Sequence, residues 1–297
     1  MTQPLVTVYI ATHNRPQMLH RALQSVFAQS YPNIEIIVAD DGSAPPAADT
    51  LAKTLTDEQR AKIKIVRNET PQGACHARNL ALAAADGEFI TGLDDDDAFA
   101  PQRVEELLDA FIDNEKKQPL ACVAACITEV TAEGQITRQF DHGRITLNMM
   151  RHYNFIGNQV FTRTDYLRRV DGFDPEMPAM QDYDTWLRLM ERFGPAIKLK
   201  SASYLWYTDH EQGRITKSTA KRARAFDIFL QKHRHTMSKN QLNSMRIIEL
   251  KMKGQSLTGF EAVRRVNRYN YRSVVALLLQ QYFGGLKRAL GKIRYKG

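Results

Sequence analysis

Over the first hundred residues, short aliphatic and β-branched runs alternate with stretches of helical periodicity, and most of these runs end in polar residues. Residues 6–10, 34–39, 63–66 and 89–93 have strand composition. Between the first two, Pro16 opens a pattern that puts Leu19, Ala22, Leu23, Val26 and Phe27 on one helical face. Residues 47–55 and 75–84 read as further helices, the second preceded by Gly73. Repeated strand–helix–strand units predict an α/β fold with a mostly parallel sheet flanked by helices. In such sheets ligands collect at the carboxyl ends of the strands. Three polar clusters fall at those ends: Thr12-His13-Asn14-Arg15, Asp40-Asp41-Gly42-Ser43 and Asp94-Asp95-Asp96-Asp97.

The third cluster is the most demanding. Four successive carboxylates follow the apolar run that ends at Leu93. Like charges this close raise one another's pKa. A bound divalent cation gives them a reason to persist, and aspartate oxygens suit hard ions such as Mg²⁺ or Mn²⁺. An acidic turn leading into a helix near Pro101 is the plainer reading. No Gly-rich phosphate loop of the dinucleotide or P-loop type is present, so bound phosphates would rely on a metal and on side chains.

Length and composition bound the rest. A chain of 297 residues, 43% hydrophobic and 25% charged, suits one or two globular domains. No apolar run approaches the roughly 18 residues of a membrane span. The start Met1-Thr2-Gln3-Pro4 lacks the basic segment of a signal peptide. Cys75, Cys122 and Cys126 form no Cys-x-x-Cys pair, which points to a reduced, cytoplasmic setting without structural zinc.

Beyond residue 100 the pattern is less regular. Residues 120–130, 135–140, 157–161 and 202–207 read as strands, and residues 182–193 as a helix with Trp186, Leu187, Met190 and Phe193 apolar. From residue 219 the pattern is helical to the end. The net charge of +8 is concentrated there: no acidic residue follows Glu261, whereas Arg264, Arg265, Arg268, Arg272 and several later cations do. Val275, Leu278, Leu279, Tyr282, Phe283, Leu286, Leu290 and Ile293 recur at helical spacing among these cations. The tail therefore reads either as an interfacial helix on anionic lipid or as a packed helix with a basic outer face, weakened at Gly284-Gly285.

Several single residues carry candidate chemistry. Asp40 or Asp41 could accept hydrogen bonds from a base or ribose, although Asp-Gly is also common turn chemistry. Arg78 could reach a base edge or a diphosphate. Asp182, at a helix start, reads as a general base or as a cap. His210, after the strand ending at Tyr207, could bind a metal as neutral imidazole.

Taken in order, Thr12-His13-Asn14-Arg15, Asp40-Asp41-Gly42-Ser43, Gly73-Ala74-Cys75-His76-Ala77-Arg78-Asn79, Leu93-Asp94-Asp95-Asp96-Asp97 and Gln181-Asp182-Tyr183-Asp184 resemble family 2 glycosyltransferases. The stretches Ile156-Gly157-Asn158-Gln159-Val160-Phe161 and Ala179-Met180-Gln181-Asp182-Tyr183-Asp184 are similar to the colanic-acid type of exopolysaccharide enzyme. The resemblance covers roughly residues 4–215. It implies the GT-A fold over residues 1–215, with a nucleotide-binding half at about 1–100 and an acceptor half at about 101–215, followed by a basic helical region at 216–297.

It also implies roles. Thr12, Asn14 and Arg15 would lie by the nucleotide, Asp40 or Asp41 on uracil or ribose, and Arg78, Asp94 and Asp95 in the same site. Asp96 and His210 would hold Mn²⁺ or Mg²⁺, and Asp182 would be the base. Gln181 stands where the family usually has Glu, which leaves Asp182 and Asp184 both open. Tyr183 and Trp186 would stack on the acceptor sugar, or Trp186 would pack in the core. The reaction expected is inverting transfer from a nucleotide-sugar, a UDP-sugar first, to a glycan or lipid-linked oligosaccharide in surface polysaccharide synthesis. The rival readings are a sugar-nucleotide nucleotidyltransferase and a basic nucleic-acid-binding protein. The first would show a basic Gly-rich loop near the first strand. The second would show aromatics interleaved with the cations, so no nucleic-acid partner is expected.

Overall fold

The computed structural model describes residues 3–138, 142–208 and 219–294. The chain divides into two compact units, Met1–Leu147 with Phe155–Met177 and Gln181–Gln212, and Asn148–Asn154 with Pro178–Met180 and Gly213–Gly297. The sequence expectation placed the whole second region after residue 215; two short internal segments join it.

In the first unit, β1 (Val6–Thr12) runs parallel between β2 (Ile34–Asp41) and β4 (Phe89–Asp94), with β3 (Ile63–Asn68) parallel to β2. Register aligns their polar ends: Thr12 lies opposite Asp40, and Ala11 opposite Asp94. Side chains alternate across a strand. Val6, Val8 and Ile10 of β1 and Ile36 and Val38 of β2 join one core with Leu19, Ala22, Leu23 and Val26 of α1 (Pro16–Phe27). Ala47 and Leu51 of α2 (Ala47–Thr54) extend that core, before the short α3 (Asp57–Ala61). Each fully buried Leu or Val contributes about 1.5–3 kcal/mol. Tyr9 and Ile37, out of phase with that set, are also buried, and α4 (Ala74–Ala84) packs on β1 and β2.

Onward along the chain come β5 (Ala98–Phe99), α5 (Arg103–Glu115), β6 (Cys122–Thr131), β7 (Gly134–Arg138), β8 (Gly143–Ile145), α6 (Leu147–Met150), β9 (Phe161–Arg163), α7 (Thr164–Arg169), α8 (Gln181–Phe193) and β10 (Ala196–Tyr207), all in the first unit except α6, which from Asn148 on belongs to the second. The strand order is β3-β2-β1-β4-β9-β6-β10-β5, with β7 on β6 and β8 on β10. β9 is antiparallel to both neighbours, and β6 and β10 are parallel with a register shift between Leu199 and Tyr204. The longest pairings are parallel, as the sequence predicts.

Two elements differ from expectation. The strand predicted at 157–161 forms only at Phe161–Arg163, because Gly157 sits at φ +112° and turns the chain out of extended geometry. The last strand starts at Ala196, well before residue 202, where its cross-strand partners on β6 and β8 hold it.

The second unit is helical: α9 (Thr219–His233), α10 (Lys239–Lys253), α11 (Gly259–Arg265) and α12 (Tyr271–Arg294). Ser238 and Thr258 each close a capping box at the starts of α10 and α11. Ile247, Leu250, Leu257, Ala262, Val274 and Leu277 form its core. α12 runs through Gly284-Gly285 without a break. Two interior glycines cost about 1 kcal/mol each against alanine, which good helix formers on both sides offset.

Candidate active site

The acidic run forms a tight turn at the end of β4, closed by the Asp97 amide donating to the Asp94 carbonyl at 3.0 Å. Each carboxylate takes a different environment. Asp94 accepts from Arg78 at 2.9 Å, Gln159 at 2.9 Å and Asn158 at 3.0 Å. Asp95 is buried, accepting from Thr12 Oγ1 at 2.8 Å and from Arg15 at 3.0 Å. Asp96 has the Arg15 guanidinium at 3.6 Å, and its carbonyl accepts from Arg21 at 2.6 Å. Asp97 is buried and accepts from the Tyr204 hydroxyl at 2.9 Å and the Tyr207 amide at 3.0 Å.

Electrostatics here oppose full ionisation. Burial pushes Asp95 up to about 6 despite Arg15 and Thr12. Burial, with the charges of Asp94 and Asp96, pushes Asp97 up to about 8. Arg78 is held well above its ordinary range: burial works against its charge, but Asp94 outweighs it.

The β1–α1 and β2–α2 loops are laced together. Asn14 occupies the left-handed region at φ +55°, which asparagine tolerates better than most residues. Its amide donates to Ser43 Oγ at 2.9 Å, and its side-chain oxygen accepts from the Ala44 amide at 2.8 Å. A cleft of about 200 Å³ opens beside these loops, lined by Thr12, Asn14, Arg15, Ser43 and Ala44 among others. Asp41 accepts from Asn68 at 2.9 Å, the Gln72 amide at 2.9 Å and the Gly73 amide at 2.7 Å. It therefore positions the loop that starts α4, where Gly73 takes φ +98°.

Of the two readings of Asp40, turn chemistry is the one that its bonds fit. Asp40 is only 1% exposed, and its oxygens are taken by the amides of Ser43 and Ala47 and by Arg67. Burial would raise its pKa, but these bonds win and lower it. It is a turn residue with nothing left for a nucleotide.

The first turn of α8 separates two aspartates that the sequence left open. Asp184 is fully buried and paired with Arg188 at 2.8 Å; Arg188 also donates to the Gly172 carbonyl at 2.8 Å. Asp182 is half-buried, and burial raises its carboxyl to about 6. Arg78 and Asp94 act on it electrostatically, so the fold gathers Asp182, Arg78 and Asp94 from three distant parts of the chain. Of the two readings of Trp186, packing in the core is the one that its surroundings fit. Trp186 and Tyr183 are both buried, at 1% and 4% exposure. The Trp186 indole packs edge-on against Phe173 and donates to the Gly157 carbonyl at 3.1 Å, so it offers no face to a sugar.

A divalent cation fits the donor chemistry in one way. Among the described residues no cluster of three His, Cys, Asp or Glu side chains is spaced to enclose a metal with protein ligands alone. Mg²⁺, however, is usually held by one or two carboxylates with phosphates and water. Burial and the charges of Asp94 and Asp96 lift Asp97, and the charge part is what a cation would relieve. His210 lies outside the described residues.

Five residues that shape the site carry no role in the sequence reading. Asn158 and Gln159 were noted in a motif but given no role. Gly92 lets Gln159 in: a Cβ there would meet Gln159 Oε1 at 2.2 Å and the Tyr9 ring at 2.5 Å. Tyr204 was read only as a strand residue. Arg21 stacks on Tyr207 at 3.8 Å while holding the Asp96 carbonyl. The available signal was a polar pair interrupting an apolar run, and a lone arginine in a helix with no other Lys, Arg, Asp or Glu.

Comparison with known proteins bears on what this arrangement is. The family model described as Glycosyl transferase family 2 matches residues 7–171. The chain is 32% identical over 237 residues, 78% of it, to 82% of the putative colanic acid biosynthesis glycosyl transferase WcaA of Escherichia coli strain K12. Its fold matches S. aureus TarS 1–349, solved in complex with UDP-GlcNAc, with TM-score 0.66, 18% identity and coverage of 92% and 79% of the two chains. It also matches the mannosyltransferase PcManGT from Pyrobaculum calidifontis, solved in complex with GDP-Man and Mn²⁺, with TM-score 0.61, 18% identity and coverage of 95% and 81%.

Proposed function

The chain belongs to glycosyl transferase family 2, and from that premise we propose that it is an inverting transferase moving a sugar from a nucleotide-sugar to a hydroxyl of a glycan or lipid-linked oligosaccharide. The observation that carries this reading is the meeting of Asp182, raised to about 6, with the Arg78–Asp94 pair at the strand ends. A carboxyl with that pKa is ionised at neutral pH yet basic enough to take a proton.

In the proposed reaction Asp182 accepts the acceptor hydroxyl proton as that oxygen attacks the anomeric carbon. The bond to the diphosphate oxygen breaks, and the nucleoside diphosphate departs with the electron pair. The cleft beside Thr12, Asn14 and Arg15 takes the nucleoside. Arg78 and Asp94, locked together by Asn158 and Gln159, present a fixed charge pattern to the donor sugar. Such preorganisation reduces the entropic barrier. Asp96 would hold Mg²⁺ or Mn²⁺, which when bound stabilises negative charge on the leaving diphosphate. UDP is the first donor nucleotide to test, since TarS is solved with UDP-GlcNAc, and GDP is the second, since PcManGT is solved with GDP-Man. Surface polysaccharide synthesis follows from the likeness to the colanic acid enzyme. A cytoplasmic setting suits three buried cysteines that form no disulfide.

The test is thermal stabilisation by UDP and GDP, with and without Mn²⁺, for the intact chain and for Asp96→Ala. A ligand that binds only the folded state raises the melting temperature. Stabilisation by one nucleotide that requires Mn²⁺ and is lost in Asp96→Ala supports the reading. No shift with either nucleotide overturns it.

A further inference from the structure

α12 uses one face inside its own unit. Asn270, Val274, Leu277 and Gln281 lie along that face, with Val274 and Leu277 in the core and Gln281 accepting from the Leu257 amide. Roughly a third of a turn away, at 100° per residue, runs a second apolar stripe of Tyr271, Val275, Leu279 and Tyr282. This stripe is open: Val275 is 49%, Leu279 53% and Tyr282 65% exposed. On α11, Phe260 and Val263 stand out further, at 76% and 80% exposure. The cations Arg264, Arg268 and Arg272 are exposed among them, and no acidic residue follows Glu261.

Large apolar side chains in water, interleaved with exposed cations, match a partner that is both apolar and anionic. We propose that α11 and α12 dock on an anionic lipid surface, with the stripe entering the acyl boundary and the arginines meeting the headgroups. Tyrosines at both ends of the stripe suit that boundary, where an apolar ring and a polar hydroxyl are both satisfied. Among the described residues no helix is long and apolar enough to cross a membrane, so α12 lies on the surface. A nucleic acid would match the arginines and leave the apolar stripe unpaired. A second copy of the chain, packed stripe to stripe, would bring like-charged arginines together. The proposal is independent of the transferase reading, because vesicle binding requires no sugar transfer.

The experiment is co-sedimentation of the full chain with phosphatidylcholine vesicles containing either no anionic lipid or about 30% phosphatidylglycerol. The expected result is binding to the anionic vesicles alone, weakened by salt. The double variant Val275→Asp/Leu279→Asp should lose it. Because an aspartate pair could also disturb the helix, Arg268→Gln and Arg272→Gln serve as independent variants, each lowering partitioning about five-fold with unchanged circular dichroism. Equal binding to both vesicle types, or unchanged partitioning of all these variants, overturns the proposal. So does a dimer that the stripe variant dissociates in the absence of vesicle binding, or an RNA or DNA complex lost in the arginine variants while vesicles are ignored.

Discussion

Two strands that flank β1 on either side end in adjacent aspartates, and the two ends behave in opposite ways. At the end of β2, Asp40 accepts two backbone amides and an arginine, and its pKa falls. At the end of β4, Asp95 and Asp97 are buried beside other carboxylates, and their pKa values rise to about 6 and about 8. The same contrast recurs within the first turn of α8, where Asp184 is paired with Arg188 while Asp182 is raised to about 6. A carboxylate whose bonds are all made locally stabilises its turn. A carboxylate kept above its ordinary pKa destabilises the fold at neutral pH and is better explained by what it does to a ligand.

The largest expected effect tests the raised class. Asp182→Asn should lower kcat by about 10²–10⁴-fold without lowering the melting temperature. In the intact chain kcat/KM should climb as pH rises through about 6, because Asp182 acts as a base only once its proton is gone. A pH profile that is flat between 5 and 7, or an Asp182→Asn variant with ordinary turnover, would break the contrast in α8.

Next come the satisfied carboxylates. Asp184→Ala strands the Arg188 guanidinium and should cost about 2–3 kcal/mol in denaturant unfolding, less than a fully buried pair because Arg188 reaches solvent. Asp40→Ala should cost a similar amount, about 2–3 kcal/mol, by freeing the amides of Ser43 and Ala47 as well as Arg67. Neither loss should depend on added nucleotide. If Asp40→Ala instead kept full stability and lost nucleotide affinity, the β2 end would belong with the β4 end.

Gly92→Ala should cost about 1–3 kcal/mol through overpacking, and should weaken donor binding by pushing Gln159 off Asp94. Nucleotide titration by calorimetry reads the second effect.

The smallest effect has the most telling sign. Asp97 has a folded pKa of about 8, above its unfolded value, so the stability it contributes is complete below about pH 4 and is lost as pH rises through 8. Asp97→Asn imitates the protonated form. It should stabilise the chain by on the order of 1 kcal/mol at pH 8 in chelator, raising the melting temperature by about 2–4 °C, with the gain shrinking towards pH 4. A destabilised Asp97→Asn under those conditions would place Asp97 with Asp40.

Much of this was legible in the residues. The β1, β2 and β4 runs, the α1 face from Leu19 to Val26 and the acidic turn all rest on local signals, periodicity and turn chemistry, which survive folding unchanged. The strand at 157–161 was misplaced because a single glycine at positive φ moved it. Trp186 stays open in the sequence between a sugar and the core, because burial depends on what packs around a residue, and no periodicity reports that. Gln159 and Tyr204 were passed over because their partners, Asp94 and Asp97, lie more than sixty residues away in the chain.

By itself, then, the sequence determined the strand–helix alternation, the carboxyl-end placement of the polar clusters and the family resemblance, since these follow from residue type and spacing. Only the tertiary structure decided which aspartates are spent on turns and which are held under electrostatic strain. The free energy of a charge depends on the solvent removed from it and on the charges brought beside it, and both are set by residues from distant parts of the chain.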